Sequence, residues 1–338
     1  MGSAALWAIA MLVAATGGPP AWPEAAPGGA QARPGKAKPK GGSEEVLRFL
    51  PKARKLSIYT RQARVQILNR EVSFEAPPAY QAGFEFWSKK MRGEGKTELI
   101  EFVITTDEPD EKGEIPFRRR SPRVMIELLD HGRPMEPYGS LQDDVKTLVW
   151  EGKLDRYGNV KEIRKVGGSD NEKIAQLTIP QMDAIFPRLD GPLELRVGEG
   201  FVEKLSLPLP ARLSIKGLED LRLLRTREYT LKRFTPRSAT FEVRTTYAND
   251  PQSKPTEPRT TCRIGGGGTG EATFDVRKGV FVRTRVPETL TIDIEAPLRP
   301  LPGMDEGEDP GTGRSHLKLD LTSSATQTVK RLWGEEDD

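Results

Sequence analysis

The sequence predicts a mainly β protein of antiparallel sheets, organised as two pseudo-repeated β domains with one or two short helices. Three observations predict it. Apolar and polar residues alternate with a period of two in many short segments. The 28 prolines and 33 glycines interrupt the chain often, which favours turns over long helices. No segment sustains a heptad pattern.

The elements follow in order. Residues 1–32 read as a signal peptide, with an apolar run from Ala4 to Ala15 that is too short to cross a bilayer as a helix. Cleavage is expected after Thr16 or after Ala32, the end of the A-x-A triplet Ala30-Gln31-Ala32; the alternative is an uncleaved tail. Residues 33–42 continue a Pro, Gly, Ala and Lys mixture that packs no core and reads as a disordered linker. Ser43 is a good N-cap, Glu44 and Glu45 suit a first turn, and Val46, Leu47 and Leu50 give an apolar side before Pro51, so a short helix is expected there.

Strand alternation is expected at Thr97–Thr106, Arg123–Asp130, Asp144–Lys153, Lys173–Ile179 and Leu193–Val197. It recurs at Phe201–Leu207, Arg222–Phe234, Ala239–Tyr247, Thr289–Ala296 and His316–Thr328. A second short helix is expected in PQMDAIF, between Pro180 and Pro187. The hairpin LDRYGNVKEIRKV from Leu154 aligns without gaps with FDVRKGVFVRTRV from Phe274, pairing Asp155 with Asp275 and Val160 with Val280. Either the chain is duplicated, as an N-terminal β domain 43–188 and a C-terminal β domain 189–338, or two hairpins share turn chemistry.

The run IGGGGTGE raises the question of a nucleotide. Gly265, Gly267 and Gly270 fit G-x-G-x-x-G, and Gly265 to Gly270 begin a P-loop. A P-loop then needs lysine and a hydroxyl, but Glu271 and Ala272 follow. A carboxylate there would repel phosphate. The dinucleotide motif needs a helix whose N-terminus faces the pyrophosphate. EATFDV instead alternates, with Ala272, Phe274 and Val276 on one face. Glu288 stands at a plausible ribose spacing, but without the helix that spacing carries little. The glycines are therefore expected to bend a sheet, leading into a DVRKG turn.

Other chemistry is sparsely provided. The two histidines, His131 and His316, stand outside any metal-ligand spacing and read as surface or structural. The single cysteine, Cys262, excludes an internal disulfide framework. It reads as a small buried hydrophobe, with an intermolecular disulfide or reactive thiol as the alternative. DEGED at Asp305–Asp309 reads as a solvated loop rather than a calcium ladder. RRRSPR at Arg118–Arg123 reads as a charged loop, or as a contact for acidic lipid headgroups or polyanions outside the cell. Trp87 in FEFW and Trp150 in LVW read as core residues of β-like stretches. A net charge of +3 from 52 basic residues argues against a dedicated nucleic-acid binder.

The segments VGEGF (Val197–Phe201), REYTL (Arg227–Leu231), ATFEV (Ala239–Val243) and GGTGEATFDVRKGVF, with the earlier GKLDRYGNV hairpin, resemble a widespread set of uncharacterised bacterial secreted proteins and lipoproteins. The resemblance implies a β-rich, envelope-associated protein without an assigned activity. The chain departs from it in having no cysteine near the apolar run for lipid attachment.

The expectation is thus an exported, non-catalytic bacterial protein of the periplasm or cell surface, with no cofactor and no designated catalytic, cofactor-binding or metal residue. It would bind an envelope protein or an apolar ligand on a curved sheet, with no nucleic acid, no nucleotide and no membrane span in the mature chain. Two alternatives are a carrier of a lipid or apolar ligand and a hydrolase with a carboxylate pair.

Overall fold

Long alternating segments dominate the structure, a computed structural model that describes residues 32–33, 45–131, 133–137, 139–169, 186, 189, 191–208, 221–257, 259–298 and 309–332. The first half holds β1 (Ala32–Arg33), β2 (Leu47–Phe49), β3 (Ser57–Glu75), helix α1 (Pro78–Met91), β4 (Gly95–Thr106), β5 (Ile115–Asp130), β6 (Arg133–Pro137), helix α2 (Gly139–Thr147), β7 (Val149–Leu154) and β8 (Val160–Gly167). The second holds β9 (Leu193–Leu195), β10 (Gly200–Pro208), β11 (Arg222–Phe234), β12 (Ser238–Asn249), β13 (Thr261–Asp275), β14 (Val280–Pro297) and β15 (Thr312–Arg331).

The fold is mainly β and antiparallel, with two short helices among the described residues, as the alternation predicts. One 13-stranded sheet runs in the order β1-β10-β11-β12-β13-β14-β15-β3-β4-β5-β7-β8, with β6 beside β5. β2 and β9 form a separate two-stranded ribbon. Strands from the two expected halves meet at a central seam, where β15 pairs with β3 from Arg331↔Ser57 to Arg314↔Glu75. The seam has one register shift, at Lys318/Leu319 opposite Asn69–Glu71.

That irregularity positions α1. The Asn69 side-chain amide donates to the Met91 carbonyl at 3.0 Å, and Gly93 N–H donates to Asn69 O at 2.9 Å, so the helix end is tied to β3. Pro77 and Pro78 start the helix: neither can donate to a sheet, and proline suits the first helical position. FEFW therefore lies in a helix, not in a β-like stretch. The side chain of Trp87 lies outside the described residues.

Three further expectations are corrected. Residues 47–49 form β2 rather than a helix, because Leu47 and Phe49 are both buried while Arg48 between them is exposed, a period of two. Asp144–Lys153 is not one strand. Gln142, Val145 and Leu148 are buried at three-residue spacing, so α2 packs on the sheet and β7 starts only at Val149. Arg118–Arg123 is not a loop but the middle of β5, bulged against β4, with Arg119 and Ser121 turned inward. The helix expected in PQMDAIF and the strand expected at 173–179 lie outside the described residues.

The sheet is curled rather than flat. Leu223 of β11 and Val65 of β3 share one apolar cluster although five strand steps separate them in the sheet, roughly 24 Å if laid flat. Val280 of β14 and Leu154 of β7 likewise share a second cluster. The segment between β2 and β3 fastens this curl. Lys52 N–H donates to Gly279 O in the β13–β14 turn, and Ala53 N–H donates to Arg156 O in the β7–β8 turn. Asp155 and Asp275, aligned in the sequence, both accept backbone N–H bonds within these turns.

A buried arginine belt as the candidate binding site

On the inner face, polar side chains interrupt the apolar rows at one level of successive strands. Along β11, Arg225 and Arg227 stand between Leu223 and Tyr229. Along β12, Thr245 lies between Val243 and Tyr247; along β14, Glu288 lies between Val286 and Leu290. Gln327 precedes Val329 on β15, and Arg61 follows Tyr59 on β3. The apolar residues on one side belong to the cluster with Leu223, Leu290 and Val65. Those on the other belong to the aromatic cluster around Phe49 or to the cluster with Tyr59 and Val329. The polar residues thus form a belt between two dry layers.

Glu288 organises the belt. Arg227 Nη2 donates to Glu288 Oε1 at 3.3 Å, and Tyr247 Oη donates to Glu288 Oε2 at 2.7 Å. Burial raises the Glu288 pKa, but Arg227, the Tyr247 and Thr245 hydroxyls and Arg225 outweigh it, so the carboxyl is held below its ordinary value. Burial also opposes the charge on Arg227, yet Glu288 holds that guanidinium above its ordinary value. Tyr247 is pushed up by burial and by Glu288, so its hydroxyl stays protonated as a donor.

Arg61 is less well provided. It is 8% exposed, and its Nη1 donates at 3.4 Å to the Gln327 side-chain oxygen. Burial first, and then the like charge of Arg227, lower its pKa to about 10, with Tyr229 opposing. The Nε atoms of Arg61 and Arg227 and the Nε2 of Gln327 are buried without a hydrogen-bond acceptor. Buried donors left in this state cost about 1–3 kcal/mol each, more when charged. The belt's ionic groups, Arg61, Arg225 and Arg227 against Glu288 and half-buried Glu203, carry more positive than negative charge.

The glycine run makes this network possible. Tyr247 and Glu288 sit on β12 and β14 and touch across β13, which lies between them. At that level β13 presents Gly268, paired with Thr245, so no side chain stands in the way. A Cβ on Gly268 would lie 2.0 Å from Pro287 O and 2.8 Å from Glu288 Cα. Pairing between β13 and β14 lapses from Gly267↔Thr289 to Glu271↔Arg285, where Pro287 has no N–H to give. Gly266, at φ +110°, takes the bend. The run is a sheet bend, Glu271 lies in a strand rather than at a helix start, and Glu288 is the centre of a buried ion pair. Gly268→Ala is expected to cost about 1–3 kcal/mol by overpacking against backbone, measured by urea denaturation.

The other singled-out residues fall elsewhere. His131 is exposed and lies 2.7 Å from Asp130; His316 lies 2.6 Å from Asp293. Among the described residues no group of three or more His, Cys, Asp or Glu side chains is placed to hold a metal ion. Cys262 is half-buried against the Leu223 cluster, and burial, then Asp293, pushes its thiol up to about 12. Trp150 packs in the core with Phe102 and Leu148, as expected. Asp309 accepts from Arg259 at 2.8 Å; the rest of DEGED lies outside the described residues. Of the buried carboxylates, Glu98 and Glu288 are each neutralised by a cation, Lys96 and Arg227, and Asp250 accepts from the Ser206 hydroxyl and the Gln252 N–H. Among the described residues no helix is long and apolar enough to cross a membrane. No family model matches the chain, and no curated protein matches it.

Proposed function

We propose that the chain is an exported, non-catalytic protein of the bacterial envelope that binds a partner or ligand on the inner face of its curled sheet. The observation that carries this reading is the belt. Arg61 is a buried guanidinium that, among the described residues, has an amide oxygen but no carboxylate at hydrogen-bond distance, and the charge of a second guanidinium acts on it. Such a charge weakens a fold, and an apolar residue of similar size would serve packing better. Its use is therefore in contact with something other than the chain itself. The short apolar run at the N-terminus supports export.

A second reading, a carrier of a lipid or other apolar ligand, is favoured by one further observation: dry clusters flank the belt on both sides, so a bound molecule would meet apolar side chains beyond its polar end. Native mass spectrometry of the full chain isolated from its own cell envelope tests both. A retained small molecule or co-isolated protein is expected. Bare chain in every envelope fraction would overturn the binding reading, and a protein partner without any small molecule would remove the carrier.

A further inference from the structure

We infer that the belt is an oxyanion site: Arg61 Nε, Arg227 Nε and Gln327 Nε2 donate to the carboxylate or phosphate group of a ligand. The inference rests on the proposed binding role of the inner face and gives that ligand its charge. Three observations carry it.

The first is donor chemistry. These three N–H groups are buried and lack acceptors, and among the belt's described side chains the one deeply buried carboxylate, Glu288, already accepts from Arg227 and Tyr247. Guanidinium and amide N–H groups can only donate, so whatever completes them must accept. The second is charge. The belt's guanidiniums outnumber its carboxylates, which favours an anion as the ligand over a neutral carbonyl or a cation. The third is placement. Arg61 comes from β3 and Arg227 from β11, five strand steps away in the curled sheet, and the charge of Arg227 acts on Arg61. An anion between the two strands would relieve that repulsion and join them. Gln327, next to Arg61 across the seam, is 3% exposed and spends its oxygen on Arg61, which turns its amide nitrogen into a free donor.

The test is thermal denaturation of the full chain with acetate, inorganic phosphate, decanoate and decyl phosphate, and with decanol as the uncharged control. At least one anion is expected to raise Tm by about 3 °C or more at roughly 100 Kd, with a smaller effect from decanol. Free anions acting as well as tailed ones would mark a site for small oxyanions. Tailed anions acting at far lower concentration would mark an amphiphile whose chain lies along the flanking clusters.

Arg61→Met is expected to keep the Tm of the unliganded chain or raise it, and to weaken anion binding roughly tenfold or more. An anion shift retained by Arg61→Met, or no shift with any of the four anions, would overturn the inference. If Arg61→Met fails to fold, acetate and decanoate labelled with 13C at the carboxyl decide instead. The bound resonance must hold its ionised position at pH values below the free acid's own pKa. A bound resonance that titrates as the free acid does overturns the site. An uncharged molecule found by native mass spectrometry would leave the binding role standing and remove only the oxyanion site.

Discussion

Glu288→Gln is expected to destabilise the fold by about 3–5 kcal/mol, the range seen when one member of a buried ion pair is removed. The reason is local. Glu288 is 7% exposed and offsets the charge of Arg227 directly and of Arg225 at longer range. Glutamine keeps the size and can still accept from Tyr247, so the loss reports charge rather than volume. Urea denaturation near neutral pH measures it. Acid gives the matching signature. The native Glu288 pKa lies below its unfolded value, so its contribution is fully present above the ordinary glutamate range near about 4.3. It is lost as pH falls through the depressed native value. The stability gap between the parent chain and Glu288→Gln should therefore narrow as pH falls through that window. A gap that stays constant across that window would show that ionisation of Glu288 does not produce it.

Phe49→Ala is expected to cost about 3–5 kcal/mol. Phe49 comes from a three-residue strand, yet its ring is fully buried and meets four others. Its centroid lies 4.5 Å from Phe274, 5.0 Å from Phe201, 5.2 Å from Phe241 and 6.1 Å from Phe281. Those rings belong to β10, β12, β13 and β14, so one side chain from the small ribbon joins strands across half the large sheet. Val46→Ala, three residues earlier and 41% exposed, should stay within about 0.5 kcal/mol and serves as the control. Equal effects from the two substitutions would show that the ribbon adds nothing to the sheet.

The sheet was legible where alternation was chemically clean. The alternating segment Arg222–Phe234 forms β11 with those same ends, and Ala272 and Phe274 turn inward with Val276 packed against the same cluster, as their pattern requires. The glycine run was legible as a bend because EATFDV alternates and Glu271 stands where a phosphate loop needs lysine. The belt was not legible. In RLLRTREYTLKRF the residues Arg225 and Arg227 share parity with Leu223, Tyr229 and Leu231, but arginine is ordinarily a solvent-facing residue and alternation carries no depth. The same holds for Arg61 within β3, a strand whose Arg and Asn positions hid it. Parity was the available clue: arginines in phase with an apolar row. Phe49 escaped for another reason, since three residues are too few to separate a period of two from one of 3.6.

The β15–β3 seam has a consequence for the time course of folding. Its partners stand far apart in the chain: the Arg70–Asp320 ion pair spans 250 positions. At ordinary rates of synthesis a nascent chain carries β3 for roughly 10–50 s before β15 exists. During that wait, one long edge of β3 has no mate, and loop closure over so great a contour makes the final zippering slow. Completion of the sheet thus waits on β15, the last of the described strands to be synthesised.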